Sequence, residues 1–119
     1  MQYDLGDCLR SGCNPLGEET TDFDQVRFEL GFCQAILQGY LFQARAFLNP
    51  GDYDYLYDSI RLIAFELGLR FFTDYLAGNV YFKAAHPEHN LNRALVQFKL
   101  TASITAQEAA ITNLIRELR

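Results

Sequence analysis

The chain has no tryptophan, no CxxC cysteine pair and no apolar run approaching the roughly 20 residues that a membrane span needs. Basic residues are outnumbered, 10 Lys and Arg against 15 Asp and Glu, for a net charge of −5. No Lys/Arg cluster is present to release counterions from a nucleic acid, which argues against a phosphate-backbone binder. The three cysteines, Cys8, Cys13 and Cys33, are odd in number and lack a paired His spacing. That pattern argues against both a disulfide framework and a zinc site, and reduced thiols are expected. The opening Met1-Gln2-Tyr3-Asp4-Leu5-Gly6-Asp7 offers neither the basic nor the apolar region of an export signal. These absences predict a cytoplasmic protein with no membrane and no nucleic-acid partner.

What the chain does have is apolar mass. Half of its 119 residues are apolar, with 10 Phe and 7 Tyr. That length fits one domain, which buries about two-thirds of its unfolded surface on folding. The first 21 residues are the least regular, with a short helix expected around Cys8–Ser11 before Gly12, Asn14, Pro15 and Gly17 break the chain.

Helical spacing governs the remainder. From Asp24 to Phe47, Cys33, Ile36, Leu37, Tyr40, Leu41, Ala44 and Phe47 form one stripe, and Val26–Leu30 alternates as a possible extended lead-in. Gly31 and Gly39 in this stretch suggest close helix packing. Asn49, Pro50 and Asp52 make a helix start, as N-cap, first helical residue and first-turn acid. Residues 50–76 then read as one long helix or two abutting ones with Leu56, Ile60, Ile63, Leu67 and Phe71 inward, stopped by Gly78 and Asn79. After a loop over 77–89, Asn90 is expected to cap a last helix to about Leu118, with Leu91, Leu95, Phe98, Ala102, Ile111, Leu114 and Leu118 inward. The sum is an all-α bundle-like layer of three main helices plus a short N-terminal one, as a single unit over 1–119.

Few residues offer chemistry. Asp4-Leu5-Gly6 has the outline of a kinase metal-binding Asp-Phe-Gly, and equally that of a helix cap before Asp7. Glu66, Arg70 and Asp74 stand at i, i+4 and i+8, so they share one helix face. Such a triad can be plain helix support at about 0.2–0.5 kcal/mol per pair. Alternatively, Arg70 projects into a polar pocket, oriented by two carboxylates among Phe65, Phe71, Phe72 and Tyr75, as a clamp for a sugar hydroxyl or a phosphate. His86-Pro87-Glu88-His89 reads as a solvated turn rather than a metal site, and Tyr81 and Phe82 as core closure or a pocket wall. There is no GxSxG, no P-loop, no GxGxxG, and no strand-borne Lys with a catalytic-loop Asp and Asn.

The block Phe65-Glu66-Leu67-Gly68-Leu69-Arg70-Phe71-Phe72-Thr73-Asp74-Tyr75-Leu76-Ala77-Gly78-Asn79-Val80-Tyr81-Phe82-Lys83, with His89-Asn90-Leu91-Asn92-Arg93 and Gln97-Phe98-Lys99-Leu100, resembles the C-terminal part of the aminoglycoside phosphotransferase and choline kinase superfamily. It is most similar to the N-acetylhexosamine 1-kinase type, which phosphorylates an amino sugar at its anomeric hydroxyl. Tyr3-Asp4-Leu5-Gly6-Asp7-Cys8-Leu9-Arg10 fits a segment that follows the metal-binding loop in that subgroup. The resemblance therefore implies that the metal-binding Asp, the catalytic loop and the nucleotide lobe precede Met1, and that ATP and Mg²⁺ belong to the complete enzyme rather than to this chain. It implies Arg70 and Tyr81 as sugar-facing residues, and Asp74 as a third that serves chiefly to orient Arg70. The expectation is a C-terminal fragment of a small-molecule kinase, inactive alone, which pairs with a separate N-terminal lobe or self-associates. The alternative is a non-catalytic helical interaction module derived from that fold.

Overall fold

The computed structural model describes residues 2–119, with side chains from Asp4 onward; Met1, and the side chain of Tyr3 that opens the Tyr-Asp motif, lie outside the described residues. Those residues form six α-helices and no strand: α1 (Gln2–Gly12), α2 (Leu30–Ala44), α3 (Pro50–Asp54), α4 (Leu56–Leu76), α5 (His89–Ala106) and α6 (Glu108–Leu118). One-turn 3₁₀ segments at Phe23–Gln25 and Arg45–Phe47 flank α2. The all-α expectation holds. No helix among the described residues is long and apolar enough to cross a membrane.

Helix α4 is the axis of the fold, packed against α1 on one side and α5 on the other, while α2 packs against α6 and α1. Two close approaches set this arrangement. A Cβ on Gly6 would stand 3.0 Å from Ser59 Cβ, and one on Gly68 would stand 2.7 Å from the Phe98 ring. These glycines, not Gly31 and Gly39, mark tight packing. Gly39 has open space where its Cβ would be, and Gly31 meets only the Glu29 side chain. The core runs from Leu5 and Leu9 through Cys33, Leu37 and Leu41 to Ile60, Leu100, Ile104 and Ile111. Burying each large aliphatic side chain contributes about 1.5–3 kcal/mol. The body is elongated, 45 × 25 × 20 Å, with a radius of gyration of 15.0 Å. A compact domain of this length has about 13.5 Å.

Several local expectations change. Helix α1 begins by Gln2, so Asp4 lies inside its first turn rather than capping a helix near Asp7. Residues 50–76 follow the second of the two expected readings, two abutting helices divided at Tyr55. The capping box at Asn49, in which Asn49 Oδ1 and Asp52 Oδ2 each accept the other's backbone N–H at 2.9 Å, starts only the five-residue α3. Phe47 leaves the α2 stripe, because the tighter 3₁₀ turn shifts the phase of the chain and leaves its ring 76% exposed.

The last helix is broken at Gln107 (φ −104°, ψ 19°). Phe28, in the extended lead-in to α2, explains what this elbow does. Its N–H donates to Ser103 Oγ at 2.9 Å and its C=O accepts from Gln107 Nε2 at 2.8 Å. The elbow thus satisfies both backbone groups of a residue whose ring is buried in the core.

Asn90 does not cap α5. It is the second residue of that helix and is completely buried. The inward face of α5 carries Asn90, Ala94, Gln97, Leu100 and Ile104, whereas Leu95 and Ala102 are exposed and Leu91 and Phe98 half-buried. Two polar residues on the inner face displaced the apparent apolar stripe.

Candidate functional site

The last turn of α4 and the loop after it build the site. The helix stops in a Schellman motif: Asn79 N–H donates to Asp74 C=O at 2.8 Å and Gly78 N–H to Tyr75 C=O at 3.2 Å. Gly78 (φ 95°) and Asn79 (φ 63°) take the left-handed conformation that this reversal needs. The chain then turns back over the Asp74 side chain.

A carboxylate in the last turn of a helix faces the negative end of the helix dipole, so it needs compensation. Asp74 finds it in the loop. Its Oδ1 accepts the N–H groups of Val80 (3.1 Å) and Tyr81 (2.7 Å), and its Oδ2 accepts those of Phe82 and Asn90 Nδ2, both at 3.0 Å. Burial pushes this carboxyl up, but the backbone N–H donors of Phe82, Tyr81 and Val80 together outweigh it and hold Asp74 below the usual carboxylate range. Asp74 is therefore the peg around which residues 79–82 are wound.

The winding delivers two rings to Arg70, one turn back on α4. The guanidinium carbon lies 6.0 Å from the Tyr81 ring centre and 5.7 Å from that of Phe82. Tyr81 and Phe82 meet edge to face at 4.9 Å, and Phe82 packs on Phe71 at 4.6 Å. Arg70 is exposed and has no hydrogen bond or ion pair within the described residues, so its donors are free. Glu66, Leu69, Arg70, Thr73, Asp74, Ala77, Tyr81 and Phe82 line a cleft of about 460 Å³. A second recess of similar volume, lined by Asp7 and Arg10 of α1, shares Glu66 and Arg70 with it.

Arg70, Tyr81 and Asp74 are thus together, though in roles that differ from the simplest helical picture. Neither Asp74 nor Glu66 pairs with Arg70; Asp74 positions the ring pair beside Arg70. The rings expected around Arg70 from α4 itself are elsewhere, because at 100° per residue Phe65 and Phe72 fall on another face. They belong to a stripe of Leu62, Phe65, Leu69, Phe72 and Leu76, each more than one-third exposed. The 3-4-3-4 spacing of that stripe is that of a helix-packing seam. Leu95 and Phe98 of α5 extend it sideways, Phe98 resting 6.1 Å from Phe65.

Sequence reasoning missed the residues that hold the loop from outside. Arg93 donates to Lys83 C=O (2.8 Å), Asn90 Oδ1 (2.9 Å) and Glu19 Oε1 (3.0 Å). His89 accepts the Ala85 N–H on Nδ1 and meets Glu19 through Nε2, so the polar His86–His89 turn is a clamp on the N-terminal loop. The His89 hydrogen bond, then Arg93, keep the Glu19 carboxylate below its ordinary range against a burial that raises it. Nothing in the spacing of Glu19 and Arg93, 74 residues apart, announces this contact. Among the described residues no group of three or more His, Cys, Asp or Glu could hold a metal ion. No known protein-family model matches the chain.

Proposed function

We propose that this chain is the acceptor-side helical part of an amino-sugar kinase-like phosphotransferase. The Arg70 guanidinium, with no hydrogen bond or ion pair among the described residues and set beside the Tyr81–Phe82 ring pair, carries the reading. Its planar fork of N–H donors suits vicinal sugar hydroxyls, and an aromatic wall suits the C–H face of a pyranose. Held in the cleft, the sugar presents its anomeric hydroxyl for in-line attack on the γ-phosphate of ATP. ATP, Mg²⁺ and the catalytic Asp are contributed by a lobe outside these 119 residues, and orientation is this chain's share of catalysis.

Titrating the isotope-labelled chain with N-acetylglucosamine and N-acetylgalactosamine tests the site. Amide shifts are expected across residues 66–82 and are lost in Arg70→Ala. Shifts that survive that substitution, or that gather elsewhere, reject the reading. The purified chain alone is expected to show no ATP-dependent phosphorylation of either sugar; measurable turnover would refute the division of labour.

The exposed stripe on α4 favours a second reading, a helical module whose work is to bind another protein. A partner lobe would cover the same face in the kinase reading. The two separate on the sugar: a pure interaction module leaves the Arg70 cleft indifferent to N-acetylhexosamines.

A further inference from the structure

Cys13 and Cys33 are separated by the whole irregular stretch between α1 and α2, yet both are completely buried in the same core. The backbone brings them there through one residue. Glu29 N–H donates to Cys13 C=O at 2.7 Å, and Glu29 C=O accepts the N–H of Cys33 at 3.1 Å, in the first turn of α2. Each of the two thiols is the foremost influence on the other's proton affinity, and all three cysteines are free. Cys8, the third, is exposed on α1.

We propose that Cys13 and Cys33 are an oxidisable pair that closes into an intramolecular disulfide, tying the end of α1 to the start of α2. This inference is independent of the kinase reading. Two thiols buried in one core, with their backbones held to the same residue, Glu29, are placed to approach the S–S length of about 2.05 Å. Cys13 holds the Cys33 thiol down against the burial that raises it, while Cys33, then burial, push Cys13 up. Either sulfur can attack first, the other then resolving the mixed disulfide.

With a low-molecular-weight disulfide as oxidant, the exchange balances as follows. When the segment between α1 and α2 opens locally, one of the two thiols loses its proton to solvent and attacks one oxidant sulfur, forming a mixed disulfide and releasing one thiolate. The other thiol then loses its proton to solvent and attacks the protein sulfur of the mixed disulfide, which expels the second thiolate. Two electrons pass from the protein thiols to the oxidant, and the two protons end on the two released thiols. The product pins the α1 end that carries Asp7 and Arg10, the wall of the recess beside Arg70.

The experiment uses the full chain with Cys8→Ser, which removes intermolecular pairing without touching the core. It is treated with oxidised glutathione under native conditions and digested with trypsin without reduction. The expected product is peptide 11–27 linked to peptide 28–45, two hydrogens lighter than the pair. The melting temperature should rise on the order of 10 °C, and return on reduction. Recovery of both cysteines as free thiols, or as two separate glutathione adducts, overturns the proposal. Linkage that forms as fast in denaturant as in buffer also overturns it, because the native fold would then contribute nothing to the pairing.

Discussion

The Asp74 carboxylate accepts the backbone N–H of Tyr81 at 2.7 Å, with Val80 and Phe82 on either side doing the same. One side chain at the end of a helix thereby sets where two aromatic rings stand relative to Arg70. Structure and candidate function meet at this contact.

Asp74→Ala should release the 79–82 loop. We expect a fall in melting temperature of about 10 °C and rapid hydrogen exchange at the amides of Val80, Tyr81 and Phe82, with slow exchange retained in α4 and α5. Because the folded Asp74 lies below its unfolded value, its contribution is fully present above about pH 4. It is lost as pH falls through the folded value. Acid titration of stability should therefore flatten in Asp74→Ala relative to the parent.

Arg70 makes no hydrogen bond or ion pair among the described residues and only exposed ring contacts, so Arg70→Ala should lower the melting temperature by no more than about 5 °C while weakening N-acetylhexosamine binding by 10-fold or more. Arg70→Lys should recover charge but not affinity, since a point charge cannot reproduce the two-pronged donor. Calorimetry paired with thermal melts separates the two effects.

Gly68→Ala places a methyl group 2.7 Å from the Phe98 ring and 3.2 Å from Gln97 Cβ. Overpacking of this kind costs about 1–3 kcal/mol. Combining it with Phe98→Leu should recover most of the loss, and the double-mutant cycle measured by urea denaturation reports that coupling.

Gln107→Ala leaves the Phe28 carbonyl without its donor at the α5–α6 elbow. The expected cost is about 1–3 kcal/mol, read from the denaturation midpoint. A loss well under that range would mean that water replaces the side chain.

The stripe on α4 predicts concentration-dependent self-association in sedimentation velocity. Leu62→Glu together with Leu76→Glu, at positions already 42% and 69% exposed, should give a monomer whose melting temperature is unchanged. A parent chain that stays monomeric at high concentration would count against both the missing-lobe and the module readings.

The sequence by itself determined the helical class, the helix start at Asn49, the stop at Gly78 and Asn79, and the shared face of Arg70 and Asp74. Each depends on near neighbours in the chain: a 3.6-residue period, a cap three residues from its target, a residue able to hold positive φ. What only the tertiary structure decided involves partners far apart. Asn90 and Gln97 are buried polar residues, so hydropathy placed the inner face of α5 on the wrong side. The elbow at Gln107 exists to satisfy Phe28, 79 residues away, and the clamp on the site loop reaches back to Glu19. Cys13 and Cys33 show no motif, and become neighbours only because an irregular segment folds back on α2. A backbone group or carboxylate accepts whichever donor the fold brings to it, and one-dimensional spacing carries no record of that choice.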